Sequence, residues 1–120
     1  MSRAGKQRVP DYLGHIREAI RRIHHYVADM AEVQFLADEK TQDAVIRNFE
    51  IIGEACRNID SHHPDFAQMH PEIPWGFAYE MRNALAHGYF RVDLEIVWKT
   101  IHTDLPDLAD KIASLLDNSH

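Results

Sequence analysis

PDYLGHIREAIRRIHHYVADM, residues 10–30, carries Leu13, Ile16, Ile20, Ile23, Val27 and Met30 at spacings of three and four, with charged residues between them. That is the period of an amphipathic helix with one buried stripe. Pro10 and Asp11 stand in front as a start signal, Asp being a good N-cap. Glu18 and Arg22 are four apart in the favourable orientation for an ion pair along a helix.

The same period returns downstream. Val45, Phe49, Ile52, Cys56 and Ile59 form a second stripe, ended by the turn-prone DSHHPD, with AEVQFLADEKT reading as a connection between helices. A third, shorter helix is expected from Pro74 and Trp75 to near His87, with Gly88 as the residue that stops it. Leu94, Trp98, Ile101, Leu105, Leu108, Ile112 and Leu115 make the longest stripe, and Asp93 can cap its start. Pro106 interrupts it by removing the amide bond back to His102. Because the apolar phase survives, two helices end to end or one kinked helix are expected there. Tyr89 to Val92 alternate briefly but lack a partner strand. The fold class that follows is all-α, an up-and-down bundle of four to five helices.

The 120 residues leave room for one domain, expected over 1–120 with residues 1–10 as a flexible basic arm. The chain is 45% hydrophobic and 27% charged, the composition of a globular protein rather than a disordered or fibrous one. Apolar runs of three or four residues fall far short of the roughly 20 that cross a membrane. The start, MSRAGKQRVP, has no apolar segment behind it, so no secretory signal is expected. One cysteine, Cys56, cannot close an internal disulfide and fits a reducing cytoplasm.

The net charge of −6 argues against a protein that coats nucleic acid without selectivity. Its distribution is uneven. Residues 1–22 hold six basic groups against Asp11 and Glu18, a local +4, whereas residues 61–120 hold four basic groups against nine acidic ones. The basic start reads either as a solvated tail and helix face or as a phosphate-contacting surface built on Arg17, Arg21 and Arg22. Composition does not choose between them.

The nine histidines raise the question of metal. No glutamate has His three residues later, no His-Glu-x-x-His is present, and one cysteine builds no structural zinc site. His24–His25 read as an exposed helix face and His62–His63 as a polar loop, so no metal and no cofactor is expected. No Gly-rich phosphate loop or Gly-x-Ser-x-Gly elbow occurs either. Cys56 falls on an apolar stripe and reads as a small buried hydrophobe.

EMRNALAHGYF, residues 80–90, is different in kind. It gathers Arg82, Asn83, His87 and Tyr89 at a predicted helix end. Helical positions five apart differ by about 140° around the axis, so Arg82 and His87 cannot share one buried stripe. Either one is exposed, or both reach a cleft or interface. Arginine's fork of donors suits a phosphate or a charged phosphorus transition state. Histidine titrates near neutrality and moves protons. RNA supplies its own nucleophile in the 2′-OH, so a metal-free ribonuclease needs a base, an acid and a cation. One chain offers one such Arg and one such His; a two-fold dimer would supply both proton carriers.

Arg82-Asn83-Ala84-Leu85-Ala86-His87-Gly88-Tyr89 resembles the Arg-x4-His-x-Tyr motif of the HEPN superfamily, specifically the HepT-type toxins. QDAVIRNFEIIGEACRNI (42–59) is similar to that family's second helix, and PWGFAYEMRNALAHGYFRVDLEIVWKTIHTDLPDL (74–108) to its central block. The likeness spans about residues 11–110. It implies a HEPN-like helical bundle that forms a homodimer and builds a composite ribonuclease cleft from two motifs. Arg82 would stabilise charge on the scissile phosphate, His87 would act as acid or base, and Asn83 would help position the phosphate. The implied partner is a small nucleotidyltransferase antitoxin of the MntA type, which transfers AMP to the motif tyrosine, here Tyr89. Bulk and negative charge at the mouth of an RNA cleft would block the substrate. The implied function is a metal-independent endoribonuclease toxin; the alternative is a non-catalytic HEPN module that binds nucleotide or a nucleotidyltransferase.

Overall fold

The computed structural model describes residues 8–76, 80–81 and 94–117. Five helices are described over their whole length: α1 (Val9–Val27), α2 (Glu32–Leu36), α3 (Glu39–His62), α4 (Pro64–Met69) and α5 (Leu94–Asp117). No strand occurs among the described residues, and the class is all-α. None of these helices is long and apolar enough to cross a membrane.

The stripes read from the sequence are the core. Leu13, Ile16, Ile20, Ile23 and Val27 of α1 meet Val45, Phe49, Ile52, Cys56 and Ile59 of α3, and Ile101, Leu105, Leu108, Ile112 and Leu115 of α5, all buried in one cluster. Each such aliphatic side chain contributes about 1.5–3 kcal/mol by leaving water. Three contacts set the directions of the helices. The Tyr12 ring, near the start of α1, lies 6.2 Å from that of His63 at the end of α3, so these helices run antiparallel. His24 Nε2 donates to the Ile101 carbonyl at 3.1 Å, near the start of α5. Farther along α5, Lys111 Nζ donates to the Glu72 carbonyl at 3.1 Å, just beyond α4. Helix α5 therefore also runs against α1, and the helix expected between α4 and α5, which would complete an up-and-down order, lies largely outside the described residues.

Several local expectations change. Helix α1 begins one turn earlier than an Asp11 cap requires: Arg8 is the N-cap, Pro10 occupies the first turn, and Asp11 sits within that turn. Proline's fixed φ and missing donor suit a helix start, where the amide has no partner anyway. The connection AEVQFLADEKT contains α2, which exists to bury one side chain. Phe35 is fully buried, 5.4 Å from the Trp98 ring. Gln34 Oε1 accepts from the Ala31 amide at 2.7 Å at its start, and Gln42 Nε2 donates to the Phe35 carbonyl at 2.9 Å. Asp38 then caps α3, accepting from the Thr41 amide at 3.1 Å and hydroxyl at 2.9 Å, and these donors hold its carboxyl below the usual range.

DSHHPD is not simply a turn. His62 ends α3, His63 caps both neighbouring helices, and Pro64 opens α4. Pro106 does not divide the last stripe, because α5 is one helix with the proline inside it. The two-helix reading fails for a physical reason. Leu105 and Leu108 are buried on either side, while His102, Thr103 and Pro106 are exposed, so the carbonyl that loses its amide partner faces water. Asp93 and Gly88, expected as helix-end residues, lie outside the described residues.

Candidate functional site

Arg82, Asn83, His87 and Tyr89 lie outside the described residues, as do residues 1–7 of the basic start. What the structure describes is the frame on either side of the motif. The approach begins at α4, a single turn that buries Ala67. Ile73 is 2% exposed and its amide donates to the His70 carbonyl at 3.1 Å. Trp75 follows, buried, its indole Nε1 shared between the carbonyls of Ala67 at 3.2 Å and His70 at 3.1 Å. Its ring meets Phe66 edge-on at 6.3 Å. Residues 75, 76, 80 and 81 are helical, in agreement with a third helix that starts at Pro74–Trp75. Met81, immediately before Arg82, is half-buried against the core and lines an apolar slot with Phe49, Ile52, Pro74, Thr100 and Leu105. The chain is thus pinned by Trp75 and Met81 on one side of the motif and by Leu94 on the other.

The three arginines of α1 are brought onto the solvent side of the helix, away from Ile16, Ile20 and Ile23. Glu18 organises two of them. Arg21 grips it with Nε at 2.9 Å and Nη2 at 2.6 Å, and Arg22 Nε reaches it at 3.1 Å. The hydrogen bonds from Arg21, then Arg22, pull the Glu18 carboxyl down to about 2, and the same contact raises Arg21. Three guanidiniums against one carboxylate leave the patch positive. Arg17 makes no ion pair with any described residue.

Two histidine expectations need correction. His24 is not simply exposed; it is half-buried and bridges α1 to α5 through the Ile101 carbonyl. The sequence does carry a signal for this, since Ile16, Ile20 and His24 form one row at spacings of four. His62 belongs to a helix rather than to a loop. Among the described residues no three His, Cys, Asp or Glu side chains converge as a metal site would require. Sequence reasoning also missed Asn48, 4% exposed in the core, whose Nδ2 donates to the Ala44 carbonyl at 2.9 Å.

Cys56 is fully buried, and burial pushes its thiol up to about 12. A thiolate is the reactive form, so this sulfur is a packing group and not a nucleophile. A thiol reagent at pH 8 should leave the native protein unlabelled and modify one sulfur per chain once denaturant is added. Stoichiometric labelling of the folded protein would contradict that burial.

A helical bundle of this order, with an Arg-x4-His-x-Tyr sequence ahead of its last helix, belongs to the HEPN class. The model of the family described as Ribonuclease HepT-like matches residues 16–115. The chain belongs to the HepT-like ribonuclease family. It is 48% identical over 105 residues to a protein of Thermococcus cleftensis named "Probable ribonuclease HepT", covering 88% of this chain and 93% of that one. A second relative, "Gamma-glutamylcyclotransferase and putative RNase MJ0434" of Methanocaldococcus jannaschii, is 40% identical over 106 residues, 88% of this chain but 46% of that longer protein. A third, "Putative RNase MJ0127" of the same organism, is 35% identical over 111 residues, 92% of this chain and 89% of its own. No solved structure matches the chain.

Proposed function

We propose that this protein is a cytoplasmic, metal-independent endoribonuclease, the toxin of a toxin–antitoxin pair, active as a homodimer and silenced when an MntA-like nucleotidyltransferase transfers AMP to Tyr89. The observation that carries the reading is the family match over 16–115, a range that includes Arg82, Asn83, His87 and Tyr89, whose spacing resembles an Arg-x4-His-x-Tyr motif. Two copies of the motif face one another in the composite cleft. His87 of one copy takes the proton of the RNA 2′-OH, whose oxygen then attacks the adjacent phosphorus. Arg82 carries the negative charge that builds on the phosphoryl oxygens, with Asn83 positioning the phosphate. The second copy's His87 gives its proton to the departing 5′-oxygen, so the P–O5′ bond breaks as the P–O2′ bond forms. The products are a 2′,3′-cyclic phosphate and a 5′-hydroxyl. Added AMP on Tyr89 places bulk and negative charge where RNA must enter.

The deciding experiment is cleavage of RNA in excess EDTA by the partner-free protein, with analysis of product ends. An all-DNA analogue cut at the same rate would exclude the 2′-OH route. Formation of a complex with RNA that is never cut, at any protein concentration and with Tyr89 unmodified, would favour a binding module instead.

Arg17, Arg21 and Arg22 are proposed to steer the RNA. Replacing all three by glutamine should weaken binding and reduce the slope of log K against log salt by about 2, as expected when three phosphates of a single strand are no longer neutralised. A slope measured by titrating sodium chloride that stays unchanged would reduce the three arginines to a solvated helix face.

A further inference from the structure

The last two turns of α1 carry more than positive charge. Arg21 and His25, and Arg22 and Tyr26, stand four residues apart, which makes each pair neighbours on the helix surface. All four are exposed, while Ile20, Ile23 and Val27 fill the core side of the same turns. Tyr26 is 37% exposed, an aromatic ring left facing water. The His25 ring stands 6.2 Å from it at 61°, edge to face. Glu18 holds the Arg21 and Arg22 forks down on the helix surface through contacts of 2.6–3.1 Å. The result is an aromatic face framed by oriented cations.

We propose that this face, formed by Arg21, Arg22, His25 and Tyr26, binds the unpaired nucleotides of single-stranded RNA, with one base stacked on Tyr26 and the flanking phosphates on the arginines. The proposal rests on the ribonuclease reading above and specifies which form of RNA it recruits. Charge complementarity favours a polyanion here, whereas the exposed Asp104, Asp107 and Asp110 farther along α5 repel one. Stacking requires a base that is out of its pair, because an A-form duplex buries its bases in a deep, narrow groove. An aromatic side chain beside arginines is the combination that holds single strands with little regard to sequence.

The test uses the intact protein and a fluorescein-labelled 2′-O-methyl oligoribonucleotide of about 12 nucleotides, either single-stranded or annealed to its complement. The methyl group removes the attacking hydroxyl, so the probe survives. By fluorescence anisotropy, Tyr26→Ala should weaken single-strand binding about five- to tenfold and leave duplex binding within about twofold. Tyr26→Phe, which keeps the ring face, should restore single-strand binding to within about twofold. Arg21→Gln with Arg22→Gln should weaken both probes and flatten their salt dependence. An unchanged single-strand affinity in Tyr26→Ala, an equal loss on both probes, or no recovery with Tyr26→Phe overturns the proposal. A polyglutamate peptide that binds as tightly, with the same dependence on Tyr26, overturns it in favour of a protein partner. RNA cleavage in EDTA runs in parallel. Cleavage with Tyr26-independent binding removes this surface and leaves the ribonuclease reading intact. Absence of both binding and cleavage in the unsubstituted protein removes the ribonuclease reading as well.

Discussion

His87→Ala is expected to lower RNA cleavage by about 10²–10⁴-fold, the range that a positioned acid or base supplies. In the composite cleft proposed above each copy would contribute one His87, so the substitution would remove the base and the acid together and the loss should lie toward the upper end. The assay is run in excess EDTA with partner-free protein, and intact mass confirms that Tyr89 is free of AMP. Arg82→Gln should cost about 10²–10³-fold, as loss of one group that stabilises developing charge does, while leaving the fold intact. The two variants fail for different reasons, and pH separates them. With Arg82→Gln the residual rate should still fall on both sides of an optimum, because the proton carriers remain. With His87→Ala that shape should disappear. Equal activity in the parent and in His87→Ala would assign the cleavage to a contaminant or to another site.

These expectations draw on features of the sequence that differ in how directly they can be read. The long stripes are plain because each repeats over several turns, and every residue of Val45, Phe49, Ile52, Cys56 and Ile59 is buried. Helices α2 and α4 are not, since a single turn shows no period: each buries one side chain, Phe35 or Ala67. Pro106 leaves two readings open, two helices end to end or one kinked helix, because local propensity argues for a break there. Burial of Leu105 and Leu108 around it decides the matter, and the proline rides on the wet side. His24 reads as surface because doublets of histidine suggest solvent, although its row through Ile16 and Ile20 leads to α5. The candidate chemistry is readable as residue types at a spacing, Arg82 to His87 to Tyr89. How two such motifs would meet in the proposed dimer is a matter of three dimensions and a second copy, and no period in one chain encodes it. The neighbourhood of Tyr26 is hidden for a related reason. One exposed tyrosine has no pattern of its own until the helix sets it beside Arg22 and His25.

Trp75 is the residue whose loss should most disturb the frame of the site. It is buried, it ties the segment that leads to Arg82 onto α4, and its single N–H serves two carbonyls, those of Ala67 and His70. Trp75→Ala removes the ring from between Phe66 and the core and leaves a cavity, a change of about 3–5 kcal/mol. Trp75→Phe retains most of the apolar volume but drops the N–H, so the Ala67 and His70 carbonyls keep only the backbone amides of His70 and Ile73, at a cost of about 1–2 kcal/mol. For a domain of this size each kcal/mol lowers the midpoint of thermal unfolding by about 4 °C. The alanine variant should therefore melt well over 10 °C below the parent and the phenylalanine variant about 4–8 °C below it, by circular dichroism. Val33→Ala, at a side chain 72% exposed on α2, is the matched control and should move the midpoint by less than about 2 °C. Activity gives the second readout. Because Trp75 anchors the chain six residues before Met81, the phenylalanine variant, assayed where it is fully folded, should lose RNA cleavage by a few-fold, since small misplacements of a reacting group are costly. A Trp75→Phe protein that melts with the parent and cuts RNA at the parent's rate would show that the indole N–H neither stabilises the bundle nor holds the approach to Arg82.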